Sequence, residues 1–373
     1  MEQTYNCYIC GTPLEGDNAS LEHILLNGIG GKLRSKKLLC KKCNGELGSS
    51  SDVALSESLS FYTDMLQVKK DRDNNHRQVM TDEDGHEVIV SKAGDKVELR
   101  RSYFEKTVTG NEKRYTITAK TEEELRKYLN GQVKAGDLTQ EQMEAIMDRA
   151  VVTKHRPKLT TRTVIPEEAF PSIIRSSVNY YIENTHRYDD IKHLIPFIKG
   201  EKNCHDILTL VVFDQMPYEE LEDAITHMIH VEGNPEQGVL YALMEYYGMF
   251  TYAVLLNEGY DGPELNLTYC YDVLNGREIR RDFSLPIDRK WIEDYKSGFE
   301  GTAKERFAAT ERRANKILAK CKENERKRVI SEIVSKAFKK YPENSQLTPE
   351  IIDEVLNEVS ERLAEYIIGQ QEL

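Results

Sequence analysis

Two Cys-x-x-Cys pairs near the start of the chain restrict its folding more than any other feature of the sequence. The pairs are Cys7 with Cys10 and Cys40 with Cys43, and residues 11–39 separate them. Each turn chelates a metal ion with two thiolates, so the two turns together complete the tetrahedral shell of zinc. Because four sulfur ligands leave no open position, we expect a structural zinc ion that closes the intervening loop.

The other three cysteines, Cys204, Cys270 and Cys321, are scattered over the rest of the 373 residues. An odd total of seven cysteines does not suit a disulfide framework, and it indicates a reducing compartment. The first residues lack the basic-then-apolar order of a signal peptide, and no apolar run approaches membrane-spanning length. We therefore expect a cytoplasmic protein that makes no membrane contact.

The charge of the chain is unevenly distributed. The net charge of −12 argues mildly against broad contact with nucleic acid, because phosphate repels excess carboxylate. Between residues 32 and 42, however, basic residues occur without any acidic one: Lys32, Arg34, Lys36, Lys37, Lys41 and Lys42. This run predicts a local phosphate contact, and an ordinary solvated loop is an equally weighted alternative.

The loop between the cysteine pairs carries the residue types of a hydrolytic site. Glu22 and His23 are adjacent in a short apolar segment, and Asn44 directly follows the last cysteine. Imidazole titrates near neutrality and can accept a proton, whereas carboxylate and amide oxygens suit Mg²⁺ or Mn²⁺. On a regular strand the Glu22 and His23 side chains point to opposite faces, so a bend is needed to aim both at one ion.

The order C-x-x-C, E-H-I, G-G, L-C-x-x-C-N and L-G resembles the zinc-knuckle branch of the HNH endonucleases over roughly the first 50 residues. The resemblance implies a ββα-metal fold, in which a hairpin and a helix hold one divalent ion. It implies that His23 is the general base and that Glu22 and Asn44 hold a catalytic Mg²⁺ or Mn²⁺. It also implies that the basic run holds the nucleic-acid strand through its phosphates.

Two classes of function are compatible with this sequence. The first is a metal-dependent endonuclease that cleaves DNA, with RNA not excluded, and analogy suggests a role in restriction or anti-phage defence. The second is a zinc-knuckle module that binds nucleic acid or protein without cleaving it. Departures from the family pattern favour the second class: Leu26 replaces the usual Pro, and Asn27 or Ser35 must stand in for the Asn that orients the His.

The whole chain is predicted to be an α+β protein with several parts. We expect the HNH module in residues 1–60, a small α+β insert in 61–165 and an α+β domain in 166–290. Residues 291–373 are predicted to be helical, and their apolar stripe suits a homodimer or a partner protein.

Local patterns predict individual elements of the larger domains. Strands are expected at residues 207–213, 250–256 and 265–273, and helices at 173–182, 238–247 and 303–328. Another helix is expected to start at Thr348-Pro349, with Thr348 as the cap and Pro349 as the first helical residue. His227 and His230, three apart on a presumed helix, have a spacing that metal ligands use, although no third ligand is in view. Cys204, next to His205, suits a buried apolar residue better than a nucleophile.

Overall fold

The computed structural model describes residues 5–48, 50–71, 78–90, 97–109, 112–150, 163–213, 216–297, 303–342 and 345–371. Its strands are β1 (Glu22–His23), β2 (Arg34–Ser35), β3 (Gln78–Thr81), β4 (Glu87–Val90), β5 (Val97–Leu99), β6 (Tyr103–Thr109), β7 (Glu112–Thr118), β8 (Leu208–Val211), β9 (Thr226–Asn234), β10 (Val239–Tyr246), β11 (Phe250–Asn257), β12 (Leu265–Asp272) and β13 (Arg277–Glu278). Its α-helices are α1 (Lys41–Gly48), α2 (Ser51–Ser58), α3 (Ser60–Met65), α4 (Glu122–Lys134), α5 (Gln140–Arg149), α6 (Phe170–Thr185), α7 (Ile195–Ile198), α8 (Arg289–Ser297), α9 (Ala303–Phe338) and α10 (Pro349–Gln371). The predicted α+β class is confirmed.

The chain divides into two compact units. The first comprises residues 1–74 and 163–322, and the second comprises residues 75–162 and 323–373. The boundaries predicted at residues 60, 165 and 290 stay predictions, whereas the units of the structure change at 74, 162 and 322.

A six-stranded antiparallel sheet forms the centre of the first unit, in the order β13-β12-β9-β10-β11-β8. Every residue of β10 is buried, which means that both faces of this strand are covered. Its side chains are therefore apolar at nearly every position and do not alternate between apolar and polar. The predicted helix at 238–247 is therefore wrong, because a continuous apolar run does not distinguish a buried strand from a helix. The strands predicted at 250–256 and 265–273 are confirmed as β11 and β12.

Helix α6 packs against this sheet and against the N-terminal residues. Pro171 lies in its first turn, where a missing N–H costs nothing, and His186 ends it in a left-handed conformation. Its residues from Ser172 to Ile182 are buried throughout, including Arg175 and Asn179. Polar side chains buried on a helix need partners, and these two find theirs in the N-terminal module.

The N-terminal module has little regular structure of its own. Strands β1 and β2 are two residues long, and helices α1 to α3 follow them. The module instead buries Ile24, Leu25, Leu38 and Leu39 completely, in one apolar core shared with α6 and the sheet. Its stability therefore depends on the sheet as well as on the cysteine pairs.

The carbonyl of Ile29, in the glycine-rich loop of the module, ties that loop to the sheet. His227 Nε2 lies 2.9 Å and the Tyr247 hydroxyl 3.1 Å from this oxygen. The Tyr247 backbone N–H donates to His227 Nδ1, so Nε2 carries the proton and donates to Ile29. Burial lowers the pKa of His227 to about 4, which keeps the ring neutral in this arrangement.

The close approach of two backbones at Gly31 makes a test of this packing. A Cβ at Gly31 would lie 2.2 Å from the backbone oxygen of Leu25, so we expect Gly31→Ala to cost about 1–3 kcal/mol of unfolding free energy. Urea unfolding measures the cost. In the matched control, Gly45→Ala in α1, the new Cβ meets nothing within 4 Å, and we expect unchanged or higher stability. Equal effects of the two substitutions would contradict the packing described.

The second unit contains a three-stranded sheet in the order β3-β4-β5, a β6-β7 hairpin and helices α4 and α5. Thr139 and Gln142 form a reciprocal capping box at the start of α5, whereas Thr121 caps α4 through its side chain alone. Gly110-Asn111, a residue pair typical of a hairpin turn, lies outside the described residues.

Helix α10 begins at Pro349 directly after Thr348, as predicted. Its apolar stripe is buried at Val355 and exposed at Ile352, Leu356 and Ile367. In the described ranges, no helix combines the length and the apolar character needed to cross a bilayer.

Candidate active site

The four cysteines of the two pairs meet at one point. Their sulfur atoms all lie within 4.8 Å of one another, and Cys10 Sγ is 3.8 Å from Cys40 Sγ. A tetrahedron with zinc–sulfur bonds of about 2.3 Å has sulfur–sulfur edges of about 3.8 Å, so the cluster fits zinc. Such a site has no open coordination position, which suits a structural ion.

Local backbone geometry forms the two turns of this cluster. In the first turn the Gly11 N–H donates to the Cys7 carbonyl at 2.7 Å, and Gly11 has a left-handed φ of 73°. In the second turn the Cys43 N–H lies 3.5 Å from Cys40 Sγ at the start of α1. Hydrogen bonds from backbone N–H groups thus shape both turns.

The β1-β2 hairpin separates the two residues of the Glu-His pair. Glu22 is opposite Ser35 and His23 is opposite Arg34. Glu22 faces inward and is 3% exposed, whereas His23 lies on the partly exposed face. The strand is regular here, so the two side chains point to opposite faces, as strand geometry dictates.

Glu22 is held by a buried arginine. Arg175 Nε of α6 lies 3.3 Å from Glu22 Oε1, and Arg175 Nη2 pairs with Asp52 Oδ2. Asn179 Nδ2 also donates to Glu22 Oε1 at 3.1 Å, and Ser172 Oγ donates to Asp52 Oδ1 at 2.5 Å. One guanidinium thus contacts two carboxylates, and the hydrogen bonds from Asn179 and Ser172 stabilise these carboxylates further.

The pKa of Glu22 reflects two opposing influences. Burial raises the pKa of this carboxyl to about 7, and the Arg175 guanidinium works against that rise. Asn179 is itself fixed, because its Oδ1 accepts a 2.8 Å hydrogen bond from the Tyr8 hydroxyl. The Glu22 carboxylate therefore belongs to a closed set of partners drawn from α6 and the first cysteine turn.

Asn44 lies inside α1, and its Nδ2 donates to Ser20 Oγ at 2.7 Å. This hydrogen bond ties the helix to the segment that precedes β1. A divalent cation does not fit beside Glu22 while Arg175 holds that carboxylate, because two cations at this distance repel each other strongly. The assignment of Glu22 and Asn44 as ligands of Mg²⁺ or Mn²⁺ stays a prediction from the resemblance.

His23 has a different set of neighbours. Its Nε2 atom is shielded from solvent and accepts no hydrogen bond from any described residue, and it lies 3.7 Å from Asp71 Oδ2. Burial lowers the pKa of the imidazole, and nearby Arg34 and Lys32 lower it further, although Asp71 opposes them. The ring is therefore neutral near pH 7, as a general base must be before it accepts a proton.

Asp71 also belongs to this site, although no sequence motif points to it. Its carboxylate pairs with Lys32 Nζ at 2.9 Å and lies 4.0 Å from Arg34 Nη1, and Asn27 Oδ1 accepts from its backbone N–H at 2.9 Å. The hydrogen bond to Lys32 holds the pKa of Asp71 below its usual range. Asn27, one of the two suggested stand-ins for the missing Asn, thus acts near His23 through Asp71.

Ser35, the other suggested stand-in, does not approach His23. Its hydroxyl donates to Glu183 Oε2 at 2.5 Å and accepts from the Lys37 backbone N–H at 3.0 Å. It therefore fixes the turn after β2 against α6. No sequence pattern indicates this role, because Glu183 lies in another element.

Several side chains of the basic run form ion pairs with carboxylates of the protein itself. Lys32 and Arg34 face Asp71, Lys37 Nζ is 3.4 Å from Glu183, and Lys42 Nζ is 4.0 Å from Glu46. Lys36 and Lys41 are exposed, and no ion pair joins either of them to a described carboxylate. These two side chains are the ones most available to an external phosphate.

The weaker candidates do not form further sites. His227 and His230 lie on β9, not on a helix, and residues three apart on a strand face opposite sides of the sheet. The prediction that they share a helix face is wrong, and His230 instead contacts the Thr268 hydroxyl at 2.9 Å. Cys204 is buried, in agreement with the apolar interpretation, and burial raises the pKa of its thiol to about 11.

Comparison with known proteins bears on the N-terminal module. Residues 7–60 match the model of an HNH endonuclease family, which confirms the resemblance seen in the sequence. No curated protein and no solved structure matches the chain.

Proposed function

We propose that the HNH module at residues 7–60 makes this chain an endonuclease that hydrolyses phosphodiester bonds of DNA, with His23 as its general base. The observation that carries the proposal is the environment of His23. A neutral imidazole, whose Nε2 lies 3.7 Å from the Asp71 carboxylate, is close to two cationic side chains, Lys32 and Arg34, on the partly exposed face of the hairpin between the cysteine pairs. This arrangement suits the removal of a proton from water beside a bound phosphate.

Each neighbour of His23 has a definite task in this proposal. Lys32 and Arg34 bind the phosphate and offset the charge that develops on it. Asp71 favours the imidazolium that forms when His23 accepts the proton, because its carboxylate raises the pKa of the ring. Asn27 holds Asp71 in place through the backbone.

We expect His23→Ala to lower the rate of DNA cleavage by about 10²–10⁴-fold, the usual contribution of a general base. The assay uses purified full-length protein and supercoiled plasmid, with Mg²⁺, Mn²⁺ or chelator in parallel. Loss of cleavage in chelator-treated samples that still contain zinc would support the predicted catalytic Mg²⁺ or Mn²⁺.

The matched control is His205→Ala, which removes an imidazole that is about half exposed on the same unit. It should cleave like the wild type. Cleavage by His23→Ala at the wild-type rate would contradict the assignment of the base. The same assay with single-stranded DNA and with RNA identifies the nucleic acid that the site accepts.

A second proposal is a zinc-knuckle module that binds nucleic acid or protein without cleavage. The burial of Glu22 beside Arg175 favours it, because that carboxylate is then unavailable to a second metal ion. Binding of nucleic acid by folded, zinc-loaded protein, with no cleavage of any substrate under any metal, would select this alternative.

The salt dependence of binding tests the basic run in either case. We expect the slope of log K against log salt concentration to shrink by about one for each of Lys36→Gln and Lys41→Gln, since each lysine that contacts phosphate releases one counterion. Fluorescence anisotropy with a labelled duplex measures the slope. Unchanged slopes in both variants would identify the run as a solvated loop.

A role in defence against invading DNA, and a homodimer or partner contact through α10, are further parts of the proposal. The defence role rests on analogy alone. The exposed Ile352, Leu356 and Ile367 supply an apolar face that an assembly would cover.

A further inference from the structure

Residues 67–71 form a short strap between the end of α3 and the glycine-rich loop of the N-terminal module. A left-handed turn starts the strap, with a φ of 52° at Gln67. The Gln67 N–H donates to the Asp64 carbonyl at 3.0 Å, and the Val68 N–H donates to the Thr63 carbonyl at 2.9 Å. This pair of hydrogen bonds is the Schellman ending of a helix, so α3 itself sets the direction of the strap.

Successive side chains of the strap point to opposite sides, as they do in any extended chain. Val68 is 3% exposed and packs on Gly30, where a Cβ would lie 2.2 Å from Val68 Cγ1. The Lys70 side chain is also buried, at 8% exposed, whereas Lys69 is exposed. Asp71 lies on the outer side, with 48% of its side chain exposed.

The buried lysine of the strap pairs with a buried carboxylate. Lys70 Nζ lies 3.3 Å from Asp64 Oδ1, and the Asp64 side chain is 1% exposed. Lysine is rarely buried unless it is paired, and removal of either partner would leave an uncompensated charge in the interior. The pair therefore anchors the strap to α3 at the residue directly before Asp71.

Asp71 has weaker contacts of its own. Its backbone N–H donates to Asn27 Oδ1 at 2.9 Å, and its carboxylate pairs with Lys32 at 2.9 Å and lies 3.7 Å from His23 Nε2. An ion pair that is exposed to this extent stabilises a conformation only slightly, because water screens it and two long side chains must be ordered. The position of Asp71 therefore depends mainly on the part of the strap before it.

We propose that the buried Lys70–Asp64 ion pair positions Asp71 beside His23. Lys70 and Asp64 act through Asp71 and take no part in the reaction themselves, so they are positioning residues. The importance of this placement for catalysis rests on the proposed function, in which Asp71 favours the imidazolium form of His23. The placement itself can be tested without any cleavage.

The pKa of the Asp71 carboxyl reports its position, because the hydrogen bond from Lys32 holds that pKa below its usual range. Carbon-13 NMR of the full-length protein, labelled at aspartate carboxyl groups, measures this pKa. The test variant combines Asp64→Asn with Lys70→Met, which removes both buried charges together. We expect the pKa of Asp71 to rise toward its usual range, by most of the rise that Lys32→Gln causes.

Amide exchange gives a second readout of the same placement. In the wild type the Asp71 N–H should be protected from exchange, because it donates to Asn27 Oδ1. In the combined variant it should exchange about two- to tenfold faster, as expected for the loss of one hydrogen bond. The melting temperature verifies that the variant is folded.

Two matched variants separate the anchor from a general effect of charge. Lys69→Met removes an exposed cation from the same strap and should leave the pKa and the exchange of Asp71 close to the wild type. Lys70→Arg retains the buried cation and should also behave like the wild type.

Plasmid cleavage then connects the placement to the proposed function. The combined variant should cleave up to about 10²-fold more slowly, which is the cost of a small misplacement in an active site. Adding Asp71→Asn should cause little further loss, because both changes remove the same interaction. A wild type that cleaves nothing would refute the proposed function, while the NMR result would still decide the placement.

Two results would overturn the proposal. The first is an Asp71 N–H that is unprotected in the wild type. The second is a folded combined variant in which the pKa and the exchange of Asp71 are unchanged, or change no more than they do in Lys69→Met.

Discussion

Cys40→Ser should abolish zinc binding, and the zinc content should fall from about one ion per chain to none. Cys40 is buried beside the other three sulfur atoms, and a hydroxyl does not replace a thiolate in this shell. Structural zinc in small modules contributes on the order of 10 kcal/mol to folding. Strands β1 and β2 have two residues each, so their pairing alone does not compensate for that loss.

Loss of zinc should first loosen the N-terminal module and should then lower the stability of the whole protein. Hydrogen exchange should speed up over residues 20–48, and the melting temperature of the protein should fall because Leu25 and Leu38 belong to the core shared with the sheet. Elemental analysis and exchange mass spectrometry provide the readouts.

Cys204→Ser is the control for this experiment. The Cys204 thiol lies 3.9 Å from the Phe197 carbonyl, far from the cysteine cluster in the sequence, and a serine hydroxyl there has an acceptor within reach. It should retain one zinc ion per chain. A Cys40→Ser protein that keeps its zinc and its exchange protection would exclude the structural role of the cluster.

Arg175→Leu should lower the unfolding free energy by about 3–5 kcal/mol, the range seen when one partner of a buried ion pair is removed. Arg175 is 2% exposed and is the shared cation of Glu22 and Asp52. Without it two carboxylates remain in a region of low polarity, and among the described residues Asn179 and Ser172 are the side chains that donate to them. Urea unfolding at neutral pH measures the difference.

A combined variant distinguishes the loss of charge balance from the loss of packing. Adding Glu22→Gln and Asp52→Asn to Arg175→Leu removes both uncompensated charges at nearly constant volume, and most of the lost stability should return. Arg280→Leu, at a side chain that is 90% exposed, should stay within about 0.5 kcal/mol of the wild type. No recovery in the combined variant would contradict the charge explanation.

The cysteine cluster could be predicted from the sequence because it depends on short spacings, whereas the roles of Glu22, His23 and Asn44 stay predictions. The Cys-x-x-Cys turns, the Glu22-His23 segment and the position of Asn44 all lie within residues 7–44, where chain connectivity restricts their geometry. The matching family model covers this stretch. The fold class could also be predicted, because the patterns of apolar and polar residues in the remaining chain indicate both strands and helices.

The neighbours supplied by tertiary structure could not be predicted. Arg175 reaches Glu22 from α6, and Asp71 reaches His23 from a polar segment with no motif of its own. The misassigned strand β10 has a similar origin, because burial on both faces removes the alternation by which a strand is recognised. In each case the sequence does not show which helices and strands pack against one another.

The hydrogen bonds to the Ile29 carbonyl limit how this module can be transferred from one protein to another during evolution. A fragment that ends at residue 60 would lose His227 and Tyr247, the two donors from the sheet that satisfy this carbonyl. It would also uncover the apolar side chains of Leu25 and Leu38. The N-terminal module therefore does not form a complete folding unit without the sheet. We expect recombination to exchange it only together with a sheet that supplies equivalent donors and apolar contacts.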